Sequence, residues 1–414
     1  MKICLPREWS FLTATIQECL LLAKNNGFDI EDIFLDIGRD DHLVILSDQK
    51  ALRITTDLFE RLGNEDTVDI SIYYRCQTQE RNQHDVDSNR SVYINIEGQG
   101  GYFDVFSLNN VQKTLCHRRC LTDKQIHFCW FVTLMALDFP LEDSLAVARA
   151  MDNVSRETWP TCVDDFPTPV INASFALGDT QVRNDDRFPV IQTDKLGLYP
   201  VVDSVEWVKR CLDLGVKTVQ LRIKGIPENL ERCIVEAVLL GQKYSAQVFI
   251  NDHWQLAIKH GAYGVHLGQQ DLNDADITKI KRAGLRLGIS THGYFEMLNA
   301  FRVGPSYLAL GHIFPTTTKE MPSKPQGLVR LRLYQRLMDS TYQSGLTEAQ
   351  QGPIPTVAIG GIDLENASQV WACGVNSLAV VRAITQSKDP KWVVSQFNSI
   401  IALGEVDLCE DCHA

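Results

Sequence analysis

Between Ser306 and Gly327 the chain reads SYLALGHIFPTTTKEMPSKPQG. Hydroxyls and an ammonium crowd into Thr316, Thr317, Thr318 and Lys319, and donors with positive charge on an ordered loop are what a phosphate needs. Pro315, Pro322 and Pro325 deny this segment a helix. The apolar run from Ser306 to Leu310 therefore predicts a buried strand that breaks into an anion loop. A merely solvated Thr-rich loop is the plain alternative, and other segments weigh against it. Gln220, Arg222 and Lys224 stand at alternate positions, which share one face of a strand and can converge on one ligand. Asn251 and Asp252 follow the next apolar run, and His266, Gln269 and Asp271 the one after. Two carboxylates from adjacent strands suit a Mg²⁺ held between protein and a diphosphate. Each aspartate could instead cap the helix after it, and Asp252 before His253 and Trp254 fits that role. Ser290, Thr291 and His292 add hydroxyls and an imidazole. At Gly360 and Gly361 the main chain can lie against a phosphate, and Val381 and Arg382 close the last apolar run. The set offers two anion sites, one with metal and one the size of a monophosphate, and no Ser/His/Asp or Cys/His constellation.

These residues sit at the ends of recurring short apolar runs: Leu198 to Val202, Thr218 to Leu221, Val248 to Ile250, Gly264 to Leu267, Leu287 to Ile289, Tyr307 to Leu310, Thr356 to Ile359 and Leu378 to Val381. Amphipathic stretches such as Val205 to Leu214, Leu230 to Tyr244, Ile277 to Ala283 and Glu365 to Cys373 lie between them. Strand and helix in alternation mean parallel strands with crossover helices, and eight repeats fit a closed (β/α)₈ TIM barrel. In such a barrel the working residues follow the strands. An open doubly wound sheet is the alternative, lowered by the lack of a Gly-x-Gly-x-x-Gly after the first strand.

The chain has 414 residues and a net charge of −12. That length predicts two domains: an amino-terminal α/β domain over 1–165, a linker over 166–195, the barrel over 196–404 and a tail over 405–414. The negative charge argues against general binding to nucleic acid or an anionic membrane. The first residues make a poor signal peptide, and no uncharged run is long enough to span a bilayer. Twelve cysteines without a compact framework fit reduced thiols. The expectation is a cytoplasmic enzyme acting on small phosphorylated molecules, with a homo-oligomer left open. Cys409, Cys412 and His413 spell a haem-attachment pattern but lie in a tail with no fold around them. Cys116, His117 and Cys120 lack a second ligand pair for zinc.

The motifs QLRIK (Gln220 to Lys224), IND (Ile250 to Asp252), GVHLGQQDL (Gly264 to Leu272), GIST (Gly288 to Thr291), GHIFPTTTK (Gly311 to Lys319) and VAIGGI (Val357 to Ile362) closely resemble those of thiamine-phosphate synthases. The resemblance implies a transferase that joins 4-amino-2-methyl-5-(diphosphooxymethyl)pyrimidine to thiazole phosphate, releasing diphosphate. It implies that Gln220, Leu221, Arg222, Ile223, Lys224, Asn251, Ser290 and Lys319 hold the pyrimidine diphosphate, with Lys319, Arg222 and Ser290 catalytic. Mg²⁺ falls to Asp252 and Asp271, and the thiazole phosphate to Thr316, Thr317, Thr318, Gly361 and the Val381–Arg382 backbone. One departure is Arg382, where the family usually has serine.

The amino-terminal part predicts a helix with Leu12, Ile16, Cys19, Leu20 and Ala23 on one face, strands at Ile33 to Ile37 and Leu43 to Leu46, and a long polar loop from Arg75 to Ser91. Two helices follow, one after Thr122 with Phe131, Leu134 and Met135 on one side, and one over Leu141 to Met151 beyond Pro140. The run ALDFPLEDSLAVARAM, Ala136 to Met151, faintly resembles the carboxyl-terminal part of hydroxymethylpyrimidine phosphate kinases. Where those have a Gly-rich anion hole, this chain has Cys116, His117, Arg118, Arg119 and Cys120, so the expectation is a degenerate, non-catalytic domain. Two other functions compete for the whole: a thiazole tautomerase of the same barrel family, which needs no metal, and a non-catalytic ligand-sensing regulator.

Overall fold

The structure, a computed structural model, describes residues 1–38, 40–59, 68–74, 91–108, 110–170, 187–316, 324–342 and 352–410, the last six of these by their backbone alone. The polar loop, most of the linker, and Cys412 with His413 lie outside the described residues. The chain divides into two compact units, Met1–Thr180 and Gln181–Ala414. No helix among the described residues is long and apolar enough to cross a membrane.

The first unit contains β1 (Lys2–Leu5), α1 (Thr13–Asn25), β2 (Phe34–Ile37), β3 (Leu43–Leu46), β4 (Ala51–Thr56), β5 (Ile70–Tyr73), β6 (Ser91–Gly98), β7 (Gly101–Leu108), β8 (Val111–His117), α2 (Lys124–Ala136), α3 (Leu141–Met151) and β9 (Thr168–Val170). The strands form one mixed sheet in the order β2-β1-β3-β4-β5-β6-β7-β8-β9. Helix α1 buries Ile16, Cys19, Leu20 and Ala23, the stripe its spacing predicts. Helix α2 departs from a one-sided stripe: it is buried continuously from His127 to Leu134, because it packs against both α1 and α3. Its first amides are satisfied by Asp123, whose carboxylate accepts from the N–H groups of Gln125 and Ile126 at 3.0 Å. That carboxylate occupies the place an anion would need. The linker predicted over 166–195 contributes β9, which pairs with β8 at the sheet edge.

A charged cluster is buried in this unit. Asp104 is 0 % exposed, with His117 Nε2 at 3.0 Å and Arg149 Nη2 at 3.3 Å. It also accepts the Asn95 N–H at 2.8 Å, where the β6–β7 register slips and Asn95 takes φ 62°. Burial would raise the Asp104 carboxyl, but Arg149 and His117 outweigh it and hold the group well below the usual range. Nearby, Tyr74 Oη and His127 Nδ1 share a hydrogen bond at 2.7 Å, and burial pulls this imidazole down to about 3. Cys116, His117 and Cys120 are not gathered as a ligand set: no group of three or more His, Cys, Asp or Glu side chains placed to hold a metal occurs among the described residues.

The second unit is the predicted barrel. Eight parallel strands, β10 (Gly197–Val202), β11 (Thr218–Leu221), β12 (Gln247–Asn251), β13 (Gly264–Leu267), β14 (Arg286–Thr291), β15 (Tyr307–Gly311), β16 (Thr356–Ile359) and β17 (Ser377–Val380), close in sequence order, β17 returning to β10. Helices fill most crossovers, among them α4 (Val205–Asp213), α5 (Leu230–Tyr244) and α6 (Trp254–Lys259), followed by α7 (Gln269–Asp274). Alternate inward residues, including Tyr199, Val201, Phe249, Tyr307 and Val357, make a continuous core. Gly288 is required by that core, since a Cβ there would stand 2.1 Å from Tyr307 Cζ. Phe188 and Ile191, just ahead of the first strand, are also buried. The segment is tied to the strand starts, with Gln192 N–H donating to Gln247 Oε1 at 2.9 Å and Ser306 Oγ to the Pro189 carbonyl at 2.6 Å.

Candidate active site

The carboxyl ends of the eight strands open on a cavity of about 850 Å³. Strand β11 ends at Leu221, so Gln220 still belongs to the strand, while Arg222 and Lys224 stand in the loop beyond it. All three line the cavity, with Ile223 beside them. Leu221, 1 % exposed, does not. The Arg222 N–H donates to the Val202 carbonyl at 2.7 Å, which fixes the start of this loop against β10. Asn251, the last residue of β12, is buried and faces the same space.

Asp252 and Asp271 meet on the wall next to Arg222. The first helical turn after β12 begins at Trp254, with His253 at its N-cap and no side-chain cap, so Asp252 is not spent on capping. Its backbone takes φ 62°, a conformation uncommon for a residue with a side chain. Asp271 lies in the first turn of α7, its Oδ2 3.1 Å from where a Cβ on Gly268 would be. Burial, then the charge of Asp271 and the hydrogen bond between the two carboxyls, push Asp252 up to about 6, while Arg222 opposes the rise. Paired oxygen donors that resist sharing negative charge are a fitting set for a hard divalent cation, which prefers carboxylate ligands.

Ser290 and Thr291 come from the end of β14, and Thr316 from the loop after β15. That loop is stitched to the one after β16: Ile313 N–H donates to the Ile359 carbonyl and Phe314 N–H to that of Gly360, both at 3.0 Å. Thr316 and Gly361 thereby line one part of the cavity. Gly361 takes φ 68°, and a Cβ there would stand 2.7 Å from Phe314 Cβ and the Pro315 carbonyl oxygen, so only glycine fits without displacing the loop. Val381 packs on the barrel core and also lines the cavity, as does Arg382, which is exposed. Thr317, Thr318 and Lys319 lie outside the described residues. Thus Asp252, Asp271, Arg222, Lys224, Asn251, Ser290, Thr316, Gly361 and Arg382 share a single cavity.

Reading the sequence did not single out Tyr199, Tyr307 or His312. His312 is 6 % exposed and lines the cavity, and its Nδ1 has no hydrogen-bond partner among the described residues. The signal available was position alone, directly after the sixth strand. The tyrosines stood inside apolar runs, and only their inward alternation could have marked them.

Residues 197–384 match the family model described as thiamine monophosphate synthase. The thiamine-phosphate synthase of Serratia proteamaculans is 56% identical over 208 residues, which is 50% of this chain and 92% of the relative. That of Proteus mirabilis is 58% identical over 208 residues, 50% of this chain and 91% of its own. Among solved structures, thiamine phosphate pyrophosphorylase from Pyrococcus furiosus is 29% identical with a TM-score of 0.43, covering 51% of this chain and 98% of its own. Through its carboxyl-terminal half, the chain belongs to the thiamine monophosphate synthase family.

Proposed function

We propose that the barrel condenses 4-amino-2-methyl-5-(diphosphooxymethyl)pyrimidine with thiazole phosphate to give thiamine phosphate and diphosphate. The observation that carries the reading is the meeting of Asp252 and Asp271 with Arg222 and Lys224 in a cavity whose far side holds Gly361, Thr316 and Arg382. One side suits a diphosphate and the other a monophosphate. The C–O bond to the diphosphate breaks with its electron pair leaving on oxygen, the pyrimidine amino group feeding electrons into the CH₂ cation. The thiazole nitrogen then forms the C–N bond, and no proton needs to be removed.

Arg222 and Lys224, with Lys319 assigned by resemblance, stabilise the charge that builds on the leaving diphosphate. Gln220, Asn251 and Ser290 orient the pyrimidine diphosphate. The main chain at Gly361 and Val381–Arg382, with the threonines from Thr316 to Thr318, holds the thiazole phosphate. Asp252 and Asp271 would hold Mg²⁺, which when bound neutralises part of the diphosphate charge. The cysteines among the described residues are free thiols, which supports a reducing, cytoplasmic setting.

The test supplies the full-length chain with both substrates and Mg²⁺ and measures thiamine phosphate and diphosphate. Stoichiometric release of both is expected. Isomerisation of the thiazole without metal, and no diphosphate release, would instead favour the tautomerase reading.

A further inference from the structure

Behind the cavity wall two tyrosines that the proposed function does not use join polar groups that face the cavity. Tyr199 and Tyr307 are 1 % and 0 % exposed and do not line the cavity, whereas Gln220, His266 and Ser290 do. Gln220 Nε2 lies 3.2 Å from Tyr199 Oη, which lies 2.8 Å from Tyr307 Oη. Tyr307 Oη is 2.8 Å from His266 Nδ1, and His266 Nε2 is 2.8 Å from Ser290 Oγ. Phe249 flanks both tyrosines, with ring centroids at 6.0 and 5.2 Å, and the His266 ring stacks on Tyr307. The surroundings are apolar, so a hydroxyl proton left unpaired there is destabilising.

With the Gln220 amide oriented as it is, nitrogen toward Tyr199, counting donors fixes the direction of this hydrogen-bond chain. Each hydroxyl has one proton, a neutral imidazole has one N–H, and the amide nitrogen of Gln220 can only donate. With that nitrogen on Tyr199, one arrangement satisfies every buried proton. Gln220 donates to Tyr199, Tyr199 to Tyr307 and Tyr307 to His266 Nδ1, and His266 Nε2–H donates to Ser290 Oγ. Placing the imidazole proton on Nδ1 would turn Tyr307 toward Tyr199 and leave the Tyr199 hydroxyl proton with no acceptor. Two consequences appear at the cavity. Ser290 accepts from His266, so its own proton is directed outward, and Gln220, its nitrogen engaged behind the wall, presents Oε1.

We propose that Tyr199, Tyr307 and His266 are positioning residues that lock Gln220 and Ser290 into one joint polarity, Gln220 as an acceptor and Ser290 as a donor toward the bound substrate. Resting on the function proposed above, this pattern matches an occupant with an exocyclic amino group and an anionic diphosphate. It also denies His266 the role of base toward Ser290, since Nε2 already carries the proton. Reversing the chain would reverse both ends together, so a mismatch at either would be felt at the other.

The decisive measurement is the imidazole ¹⁵N spectrum of the full-length protein, with the His266 signals identified by their loss in His266→Asn. The expected result is a neutral His266 protonated at Nε2; protonation at Nδ1 overturns the proposal. A kinetic cycle gives the second readout. Tyr307→Phe is expected to lower kcat about tenfold, the upper range for a neutral buried hydrogen bond, and to cost less than about twofold when Ser290 is already alanine. Fully multiplicative losses would overturn the coupling. Because the spectrum needs no turnover, a protein with the expected tautomer that makes no thiamine phosphate would sink the function and leave this inference intact.

Discussion

Asp252 and Asp271 reach the cavity from successive crossovers, and the proximity of Asp271 raises the pKa of Asp252. The arrangement is costly without a cation, and two outcomes can be measured. An acid whose folded pKa is raised destabilises the fold once ionised. The penalty is absent below the ordinary value of 3.8, grows as the pH rises, and is complete above about 6. Asp252→Asn should therefore make the metal-free protein more stable above pH 6, by about 2 kcal/mol after allowance for partial solvent access. The same variant should lose roughly a hundredfold in turnover, as a transition-state charge contact. Denaturant titrations without Mg²⁺, set beside diphosphate release with it, check both; a variant that is less stable yet fully active contradicts the assignment.

Arg222 and Lys319 are assigned to the departing diphosphate. Arg222→Ala and Lys319→Ala should each lower kcat by roughly a hundredfold, with smaller changes in KM for the pyrimidine diphosphate. Steady-state kinetics with each substrate varied in turn test this, and an unchanged kcat in Lys319→Ala would remove that residue from the mechanism.

Gly361 and Arg382 separate main-chain from side-chain recognition. Gly361→Ala forces a Cβ against Phe314 and Pro315 at a positive φ, and should raise KM for thiazole phosphate by about tenfold or more, the equivalent of one lost hydrogen bond to an anion. Arg382→Ser keeps the backbone donor and should alter the same KM by less than about threefold, as expected of an exposed charge. The reverse ranking, measured by steady-state kinetics with thiazole phosphate varied, would mean that the guanidinium is the principal contact.

In the amino-terminal unit the acid limb should be steep. Burial pulls the His127 imidazole down to about 3 in the folded chain from its ordinary 6.5, so the unfolded chain takes up the proton first. Its contribution to stability is full above pH 6.5 and is lost as the pH falls toward about 3; His117, also lowered, acts in the same direction. Each such histidine adds about 1.4 kcal/mol per pH unit to the slope. His127→Gln should flatten the pH dependence of unfolding of the amino-terminal unit by about that amount, as read by chemical denaturation between pH 6 and 4.

The barrel was legible because its eight apolar runs alternate with amphipathic stretches, and a parallel closed sheet is what that pattern builds. The cavity residues were legible for a related reason, since polar groups cluster where strands end. Arg222 and Lys224 were nonetheless read as parts of a strand that stops at Leu221. Tyr199 and Tyr307 count as apolar in any run of residues, and their hydroxyls matter only through partners far away in the chain. The mixed sheet of the first unit was hidden too. Parallel pairing of β4 with β5 and of β5 with β6 leaves no local trace, and the Asp104, His117 and Arg149 cluster is drawn from three separate elements.

The close fit of Gly288 against Tyr307 also constrains the mutational history open to this barrel. No larger residue can enter at 288 until the phenol ring has been replaced by something smaller, so the two changes can occur in one sequence only. Taking the first step deletes the hydroxyl that His266 Nδ1 relies on. Drift at an apparently unremarkable glycine in strand β14 is thus held in check by a cost that falls on a different strand.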